Sequence, residues 1–136
     1  MISSNAHGSD GASEKLTGLR ILLVEDSWHV GKAMKRLLQL CGAEVAGPAA
    51  TGAEAERLFS EQTPDLALVD FHLRGGELAA GLIDRLHDRG VPVIVITGYA
   101  VLPETPKNVV TILQKPLDID LLLATLRPFT ARKPAS

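Results

Sequence analysis

Blocks of apolar residues alternate with amphipathic segments along this chain, and the alternation predicts an α/β fold. Short apolar runs bounded by glycine, proline or aspartate are typical of buried strands, whereas apolar residues spaced three or four positions apart are typical of helices packed on a sheet. The runs predict five strands, over Ile21–Val24, Glu44–Ala46, Leu66–Val69, Val93–Ile96 and Val109–Leu113. Because a helical segment follows each strand, we expect a parallel sheet covered on both faces, a doubly wound arrangement.

The first two predicted helices have clear capping residues. Ser27 precedes the first helix as its N-cap, and Gly42 follows it at a position that favours a left-handed residue. Thr51 and Glu54 form a capping box for the second helix. At helical spacing, the residues predicted to be buried are Val30, Met34, Leu37, Leu38 and Cys41 in the first helix and Ala55, Leu58 and Phe59 in the second.

Prolines limit the helices in the C-terminal half. The third helix is predicted over roughly residues 78–88. Pro103 and Pro106 restrict any helix between the fourth and fifth strands, so this fourth helix must be short. The last helix is predicted to begin near Asp118 and to end before Pro128. Its expected buried residues are Leu122, Leu123 and Leu126.

The composition indicates one folded domain with irregular ends. The chain of 136 residues is 46% hydrophobic with a net charge of −2, which allows a single core and gives no basic surface for nucleic acid. We expect a disordered leader over residues 1–18, the domain over 19–128 and a flexible tail over 129–136. Cys41 is the single cysteine, so we expect a buried thiol in a reducing, cytoplasmic setting. The sequence suggests neither a signal peptide nor a membrane-spanning run.

Four of the predicted strands end in polar side chains. Glu25 and Asp26 follow the first strand, Asp70 ends the third, Thr97 ends the fourth and Lys115 follows the fifth. Ligands of open α/β sheets bind at the carboxyl ends of the strands, so we expect these side chains on one edge. Three carboxylates there suit Mg²⁺, and the lysine and the hydroxyl suit phosphoryl oxygens, which together favour phosphoryl transfer to a carboxylate. A lone strand-end aspartate more often caps a turn, so the joint placement carries this interpretation.

In these motifs the chain resembles the receiver domain of two-component response regulators, over about residues 19–127. The resemblance rests on Glu25-Asp26, Asp70, Thr97 and Lys115-Pro116, each at the end of the matching strand. It implies a flavodoxin-like, five-stranded parallel sheet of strand order 2-1-3-4-5. It also implies that Asp70 accepts a phosphoryl group from a sensor histidine kinase or a small phosphodonor.

The resemblance implies a role for each matched residue. The implied Mg²⁺ ligands are Asp26, Asp70, the backbone carbonyl of His72 and, through water, Glu25. Thr97 would move toward the phosphoryl group and Lys115 would pair with it. The Lys115–Pro116 peptide bond would be cis and would direct the lysine, because proline makes a cis bond accessible.

The chain departs from the usual receiver pattern at a switch position. Receivers generally carry an aromatic residue three positions before the lysine, where this sequence has Ile112. Tyr99, two residues after Thr97, is an alternative switch residue. The strand-four motif resembles that of the single-domain FAT GUY receivers, with matches at Pro92, Thr97, Gly98 and Tyr99 and departures at Val93, Val95 and Ile96. That resemblance implies a place in stress-response phosphorelays.

The sequence therefore predicts a stand-alone receiver, which is not an enzyme beyond assisting its own phosphorylation and dephosphorylation. Expected partners are a sensor histidine kinase or phosphotransfer protein and a downstream protein target, with neither nucleic acid nor membrane. A phosphorylation-dependent homodimer stays open. Trp28 is expected at the rim of the site, where its fluorescence would report metal binding. A further apolar set either docks a partner or completes the core, and it comprises Val101, Leu102, Leu121 and Leu123.

Two other functions stay open on the sequence. The first is a phosphorylation-independent interaction scaffold, which the aliphatic Ile112 would favour. The second is a phosphatase with an aspartyl-phosphate intermediate. Such enzymes need an acid two residues after the nucleophile, and His72 at that position argues against it.

Overall fold

Five parallel strands form a single sheet in the computed structural model, which describes residues 15–73, 79–98 and 106–131. The strands are β1 (Arg20–Val24), β2 (Glu44–Ala49), β3 (Leu66–Asp70), β4 (Val93–Thr97) and β5 (Thr111–Gln114). Their order across the sheet is β2-β1-β3-β4-β5, and each neighbouring pair is parallel. The predicted doubly wound α/β fold and its strand order are confirmed.

Helices cover both faces of this sheet. Within the described residues they are α1 (Trp28–Leu40), α2 (Gly52–Glu61), α3 (Ala80–Asp88) and α4 (Ile119–Ala131). α1 and α4 pack on one set of alternating strand residues, and α2 and α3 pack on the other set. Every residue of β3 and β4 is buried. Polar side chains in these two strands are therefore confined to the last residue of each, Asp70 and Thr97.

The predicted caps of the first two helices are present. The Ser27 Oγ accepts a hydrogen bond from the Val30 N–H at 3.4 Å, and the Thr51 Oγ1 accepts one from the Glu54 N–H at 3.2 Å. Gly42 follows α1 with a φ of +98°. These local signals fix the points at which the two helices start. The start of α1 matters most for function, because it lies two residues after an acidic pair.

The folded part begins earlier than the sequence predicts. Residues 15–18, which the sequence assigns to the disordered leader, form a turn. Leu16 has no exposed surface, and its N–H donates to the Cys41 carbonyl at 2.8 Å. Burial of an apolar side chain in the core holds this segment in place. The predicted leader is therefore too long at its C-terminal end, and residues 1–14 lie outside the described residues.

Two elements continue through prolines at which the sequence predicts an end. β2 extends to Ala49 and includes Gly47 and Pro48; it is an edge strand, in which the missing N–H of proline is tolerated. α4 includes Pro128 and ends at Ala131. Phe129, one residue further on, is buried in the core with the rest of the helix. The predicted helix end before residue 128 is therefore wrong, and the helix continues past the predicted domain boundary at 128.

The structure differs from several smaller predictions. Val30 is exposed although helical spacing places it inward, and Leu123 is buried, so it completes the core instead of joining an exposed patch. β5 begins at Thr111, two residues later than predicted. Some predictions fall on residues that the structure does not describe. They concern most of the short fourth helix, the predicted start of the third helix at residue 78, and the side chains of Tyr99, Val101 and Leu102. No helix in the described ranges is both long enough and apolar enough to cross a bilayer.

The packing of Leu16 generates a stability prediction. Leu16→Ala should lower the free energy of unfolding by about 2–5 kcal/mol, because it leaves a cavity in a well-packed core. Leu40→Ala is the matched control, since Leu40 is 63% exposed and its truncation should change stability by less than about 0.5 kcal/mol. Urea denaturation of both variants measures the difference. Equal effects would mean that residues 15–18 do not belong to the folded core.

Candidate phosphoryl-acceptor site

Three carboxylates meet at the carboxyl edge of the sheet. Glu25 and Asp26 directly follow β1, and Asp70 is the last residue of β3. β1 and β3 are hydrogen-bonded neighbours in which Val24 pairs with Val69, so both strands end at the same level. One oxygen from each carboxylate lies within 4.8 Å of the others. The sequence prediction that these acids form one cluster is correct.

Lys115 reaches this cluster from the end of β5. Its Nζ lies 3.1 Å from the Glu25 Oε1 and 3.2 Å from the Asp70 Oδ2. Its backbone N–H donates to the Thr97 carbonyl at 2.7 Å, which joins the ends of β4 and β5. The Lys115–Pro116 peptide bond is cis, as predicted. The lysine therefore contacts acids on two different strands at once.

Asp70 is held in one orientation by its neighbours. Its side chain is almost fully enclosed, and the residue is 6% exposed. The His72 N–H donates to the Oδ1 at 3.1 Å, while the Oδ2 faces Lys115. The Phe71 N–H donates to the Ile96 carbonyl at 3.0 Å and extends the pairing of β3 with β4 past the carboxylate. The two oxygens of Asp70 therefore have different partners, a backbone amide and an ammonium group.

Glu25 is the most deeply buried acid of the cluster, at 2% exposure. Its Oε2 accepts hydrogen bonds from the Ser27 N–H at 3.2 Å and from the Lys115 Nζ at 3.4 Å. Its Oε1 is buried and has no hydrogen-bond partner among the described residues, although the ammonium lies nearby. Burial, together with the neighbouring Asp70 carboxylate, raises the pKa of Glu25 from 4.5 to about 7. The Oε1 is therefore in ionic contact with the Lys115 ammonium at 3.1 Å but makes no hydrogen bond with the described residues.

The charge of Lys115 is maintained by the acids that it contacts. Burial by itself would lower the pKa of this ammonium group. The hydrogen bond to Glu25 and the charges of Asp70 and Glu25 outweigh that effect and raise the pKa of Lys115 above its usual value. Lys115 therefore carries a positive charge in the cluster at neutral pH.

The donor set fits a hard divalent cation. Mg²⁺ prefers oxygen ligands from a few carboxylates and completes its shell with water. Glu25, Asp26 and Asp70 offer carboxylate oxygens that lie close together, and the Oε1 of Glu25, which makes no hydrogen bond with the described residues, can also face a cation or its water. Both oxygens of Asp70 already accept hydrogen bonds, from the His72 N–H and the Lys115 Nζ, which limits how many oxygens can turn toward a metal. The described residues thus fit a site with few protein ligands.

Of the three remaining predicted site residues, the structure describes Thr97 and His72 but not Tyr99. Thr97 is buried at the end of β4, one position beyond the Ile96–Asp70 pair, so it shares the edge with the acids. His72 is half-buried, with its ring edge-on to Phe71 at 5.2 Å between centroids, and a role for its carbonyl stays a prediction. Tyr99 lies outside the described residues.

Trp28 lies at the start of α1 and is 60% exposed. Its ring is edge-on to His29, at 5.1 Å between centroids, and the Lys32 Nζ lies 4.3 Å from the ring centre. Trp28 follows Asp26 by two residues and is exposed, and its use as a fluorescent reporter of metal binding stays a prediction.

Sequence reasoning missed two contributions to the cluster. Ser27 is predicted only as a helix cap, but its backbone N–H also binds the Glu25 carboxylate. The Ala49 carbonyl of β2 accepts the Glu25 N–H at 2.8 Å, so the edge strand supports this acid as well. The available signal was the Gly47–Pro48 pair beside a weakly predicted strand, because glycine inside a strand marks irregular pairing.

The raised pKa of Glu25 predicts that stability depends on pH when divalent cations are removed. Between pH 4.5 and about 7 the folded state binds more protons than the unfolded state, so the free energy of unfolding should fall as pH rises through this window. Glu25→Gln cannot ionise and should remove most of that slope. Urea denaturation in EDTA at several pH values measures it.

The matched control for this prediction is an exposed glutamate. Glu61 has a side chain that is 65% exposed, and Glu61→Gln should retain the pH dependence of the unsubstituted protein. If Glu25→Gln shows the same slope as Glu61→Gln, another group is responsible for the pH dependence.

Comparison with known proteins places this geometry among regulatory domains. The chain is 30% identical over 117 residues to the C4-dicarboxylate transport transcriptional regulatory protein DctD of Pseudomonas aeruginosa, covering 79% of this chain and 24% of DctD. The receiver domain of the hybrid histidine kinase CckA is 34% identical, with a TM-score of 0.67, covering 81% of this chain and 97% of that domain. The response regulator PhyR of Brucella abortus is 25% identical, with a TM-score of 0.74, covering 94% of this chain and 54% of PhyR. The chain thus spans about a quarter of DctD and about half of PhyR.

The match to a protein family extends over nearly all of the described fold. Residues 21–127 match the response regulator receiver domain. This range contains all five strands except the first residue of β1, and it includes the acid cluster together with Lys115. The chain therefore belongs to the response regulator receiver domain family of two-component systems.

Proposed function

We propose that Asp70 accepts a phosphoryl group from a sensor histidine kinase or a phosphotransfer protein in a Mg²⁺-dependent reaction. One observation carries this proposal. Asp70 is enclosed at the end of β3, with one carboxylate oxygen 3.2 Å from the Lys115 ammonium and two further acids close by. A carboxylate in that position has a positively charged group beside it that can receive the oxygens of an incoming phosphate.

The reaction is a displacement at phosphorus. A carboxylate oxygen of Asp70 forms a new O–P bond while the P–N bond of a phosphohistidine, or the P–O bond of acetyl phosphate, breaks. The electron pair of the broken bond leaves with the imidazole or with acetate, and Asp70 becomes an acyl phosphate. Lys115 loses its contact with the ionised Asp70 and pairs with a phosphoryl oxygen instead, so its charge stays compensated.

The acids around Asp70 have a separate role. Glu25, Asp26, Asp70 and the backbone carbonyl of His72 would hold Mg²⁺, with Glu25 acting through water. When bound, the ion supplies positive charge that offsets the carboxylates and the phosphoryl oxygens during transfer. Burial of Glu25 and Asp70 keeps bulk water from screening these charges, which strengthens each interaction.

Signalling would follow from a shift at the ends of β4 and β5. The Thr97 carbonyl accepts the Lys115 N–H at 2.7 Å, so a movement of Thr97 toward the phosphoryl group passes directly to the end of β5. Ile112 in β5, at the position where receivers usually carry an aromatic switch residue, is aliphatic and partly exposed. The shift in this chain would therefore proceed without an aromatic side chain at that position. We infer a two-state shift that changes the surface offered to a downstream protein.

The first test is the mass of the intact protein after brief incubation with acetyl phosphate. We expect one phosphoryl adduct that requires Mg²⁺ and is absent from Asp70→Asn, because the amide cannot act as the nucleophile. Asp88→Asn is the matched control, since Asp88 is an exposed residue at the end of α3 and its loss should leave the adduct unchanged. Trials with sensor kinases extend the test to a physiological donor.

The results separate the candidate functions. An adduct on Asp70→Asn would place the acceptor elsewhere. No adduct on the unsubstituted protein, from acetyl phosphate or from kinases, would overturn phosphorylation and leave the interaction scaffold. Rapid turnover of phosphodonors would instead indicate the phosphatase.

The second test concerns Thr97. Thr97→Val keeps the side-chain volume but removes the hydroxyl, so the adduct should still form while the conformational response is lost. Thr97→Ser retains the hydroxyl and should retain the response. Hydrogen–deuterium exchange of residues 93–98 and 111–117, with and without acetyl phosphate, measures it. If exchange in the unsubstituted protein does not change on phosphorylation, the switching part of the proposal fails.

A further inference from the structure

A lysine of α1 holds the edge strand beside the acid cluster. Lys35 is half-buried, and its Nζ donates to the Gly47 carbonyl oxygen of β2 at 2.9 Å. The other basic residues of α1, Lys32 and Arg36, are exposed. Neither Lys35 nor Gly47 takes part in the proposed phosphoryl transfer. A partly buried lysine bound to a single backbone carbonyl indicates a structural task near the cluster.

The carbonyl that Lys35 binds lies in a bulge of β2. β2 contributes two residues, Gly47 and Pro48, where β1 contributes only Leu23. Gly47 has a φ of +105°, and an added Cβ there would collide with the Leu23 carbonyl oxygen. Only glycine fits this position, so the bulge is a built feature of the strand pair.

The bulge is linked to Glu25 by one backbone hydrogen bond and by a shared neighbour in α1. The Glu25 N–H donates to the carbonyl of Ala49, which directly follows the bulge, at 2.8 Å. The Pro48 ring lies against Gly31 of α1, where an added Cβ would be 2.8 Å from the ring and 3.6 Å from the Glu25 Cγ. The ring, the helix backbone and the glutamate side chain therefore share one small space.

We propose that Lys35 is a positioning residue for the acid cluster: by holding the β2 bulge against α1, it fixes Glu25 in the orientation that meets Asp26 and Asp70. Loss of the hydrogen bond frees the Gly47 carbonyl. Ala49, whose carbonyl binds the Glu25 N–H, and Pro48, which packs against Gly31 beside Glu25, then lose their support. The cluster should then bind a divalent cation less tightly. This inference rests on the proposed function for the identity of that cation, Mg²⁺.

The direction of the effect separates positioning from simple charge. Removing a positive charge from the neighbourhood of three carboxylates favours a cation, so electrostatics alone predicts tighter Mg²⁺ binding by Lys35→Met. Loss of positioning predicts weaker binding. We expect Lys35→Met to raise the Mg²⁺ dissociation constant roughly tenfold, the lower end of the effect of residues that orient metal ligands.

Isothermal titration calorimetry with Mg²⁺ tests the proposal on the full chain. Lys35→Arg keeps a donor for the Gly47 carbonyl and should restore most of the affinity. Arg36→Met removes an exposed charge from the same helix and should bind Mg²⁺ as the unsubstituted protein does. Gly31→Ala disturbs the same space by another route, through the Pro48 ring, and should also weaken binding.

The results judge the two proposals separately. Binding by Lys35→Met that is equal to or tighter than that of the unsubstituted protein overturns the positioning role, as does a failure of Lys35→Arg to restore affinity. At saturating Mg²⁺, Lys35→Met should reach the same extent of phosphorylation as the unsubstituted protein. A chain that binds Mg²⁺ but forms no acyl phosphate would overturn the proposed function alone. A chain that binds no Mg²⁺ would overturn both.

Discussion

The acidic edge of the sheet depends on the contact between one ammonium group and two buried carboxylates. The Lys115 Nζ lies 3.1 Å from Glu25 and 3.2 Å from Asp70, and both acids are almost inaccessible to water. Repulsion between like charges is strong where water cannot screen it. The structure offsets that repulsion in two ways, by the charge of Lys115 and by the tendency of Glu25 to keep its proton to a pKa of about 7. This arrangement favours the arrival of a further cation.

The strand order of the sheet brings the acids, Thr97 and Lys115 to one edge. β1 and β3 are neighbours at the centre of the sheet, so Glu25, Asp26 and Asp70 emerge from adjacent strand ends. Thr97 and Lys115 follow the next two strands, and a backbone hydrogen bond joins them. Because the strands below are buried and tightly packed, the polar ends have a rigid base.

The sequence reveals this edge well because strand ends have a strong local signal. A buried apolar run that stops at a single acid, as at Asp70, marks both the strand and the position of the side chain. Local signals fail where tertiary packing overrides them. The burial of Leu16 extends the fold into the predicted leader, and the burial of Phe129 extends the last helix beyond Pro128. Neither contact can be recognised from a short stretch of sequence. The contact of Lys35 with Gly47 joins a helix to a bulged strand, and no spacing rule encodes it.

Membership of the FAT GUY subfamily and a switching role for Tyr99 remain predictions. The subfamily motif runs from Pro92 through β4 to Tyr99, and of its positions Tyr99 lies outside the described residues. The aliphatic Ile112 is confirmed to lie on β5 with part of its surface exposed. Within the described residues, the hydrogen bond from the Lys115 N–H to the Thr97 carbonyl joins the ends of β4 and β5.

The bulge in β2 has a consequence for the outer edge of the sheet. An edge strand normally presents a row of free N–H and carbonyl groups on which a strand from another molecule can pair. At this end of β2, Pro48 has no N–H to offer, and the carbonyl of Gly47 is already bonded to Lys35. The part of β2 nearest the acid cluster is therefore a poor template for the addition of a strand from another molecule.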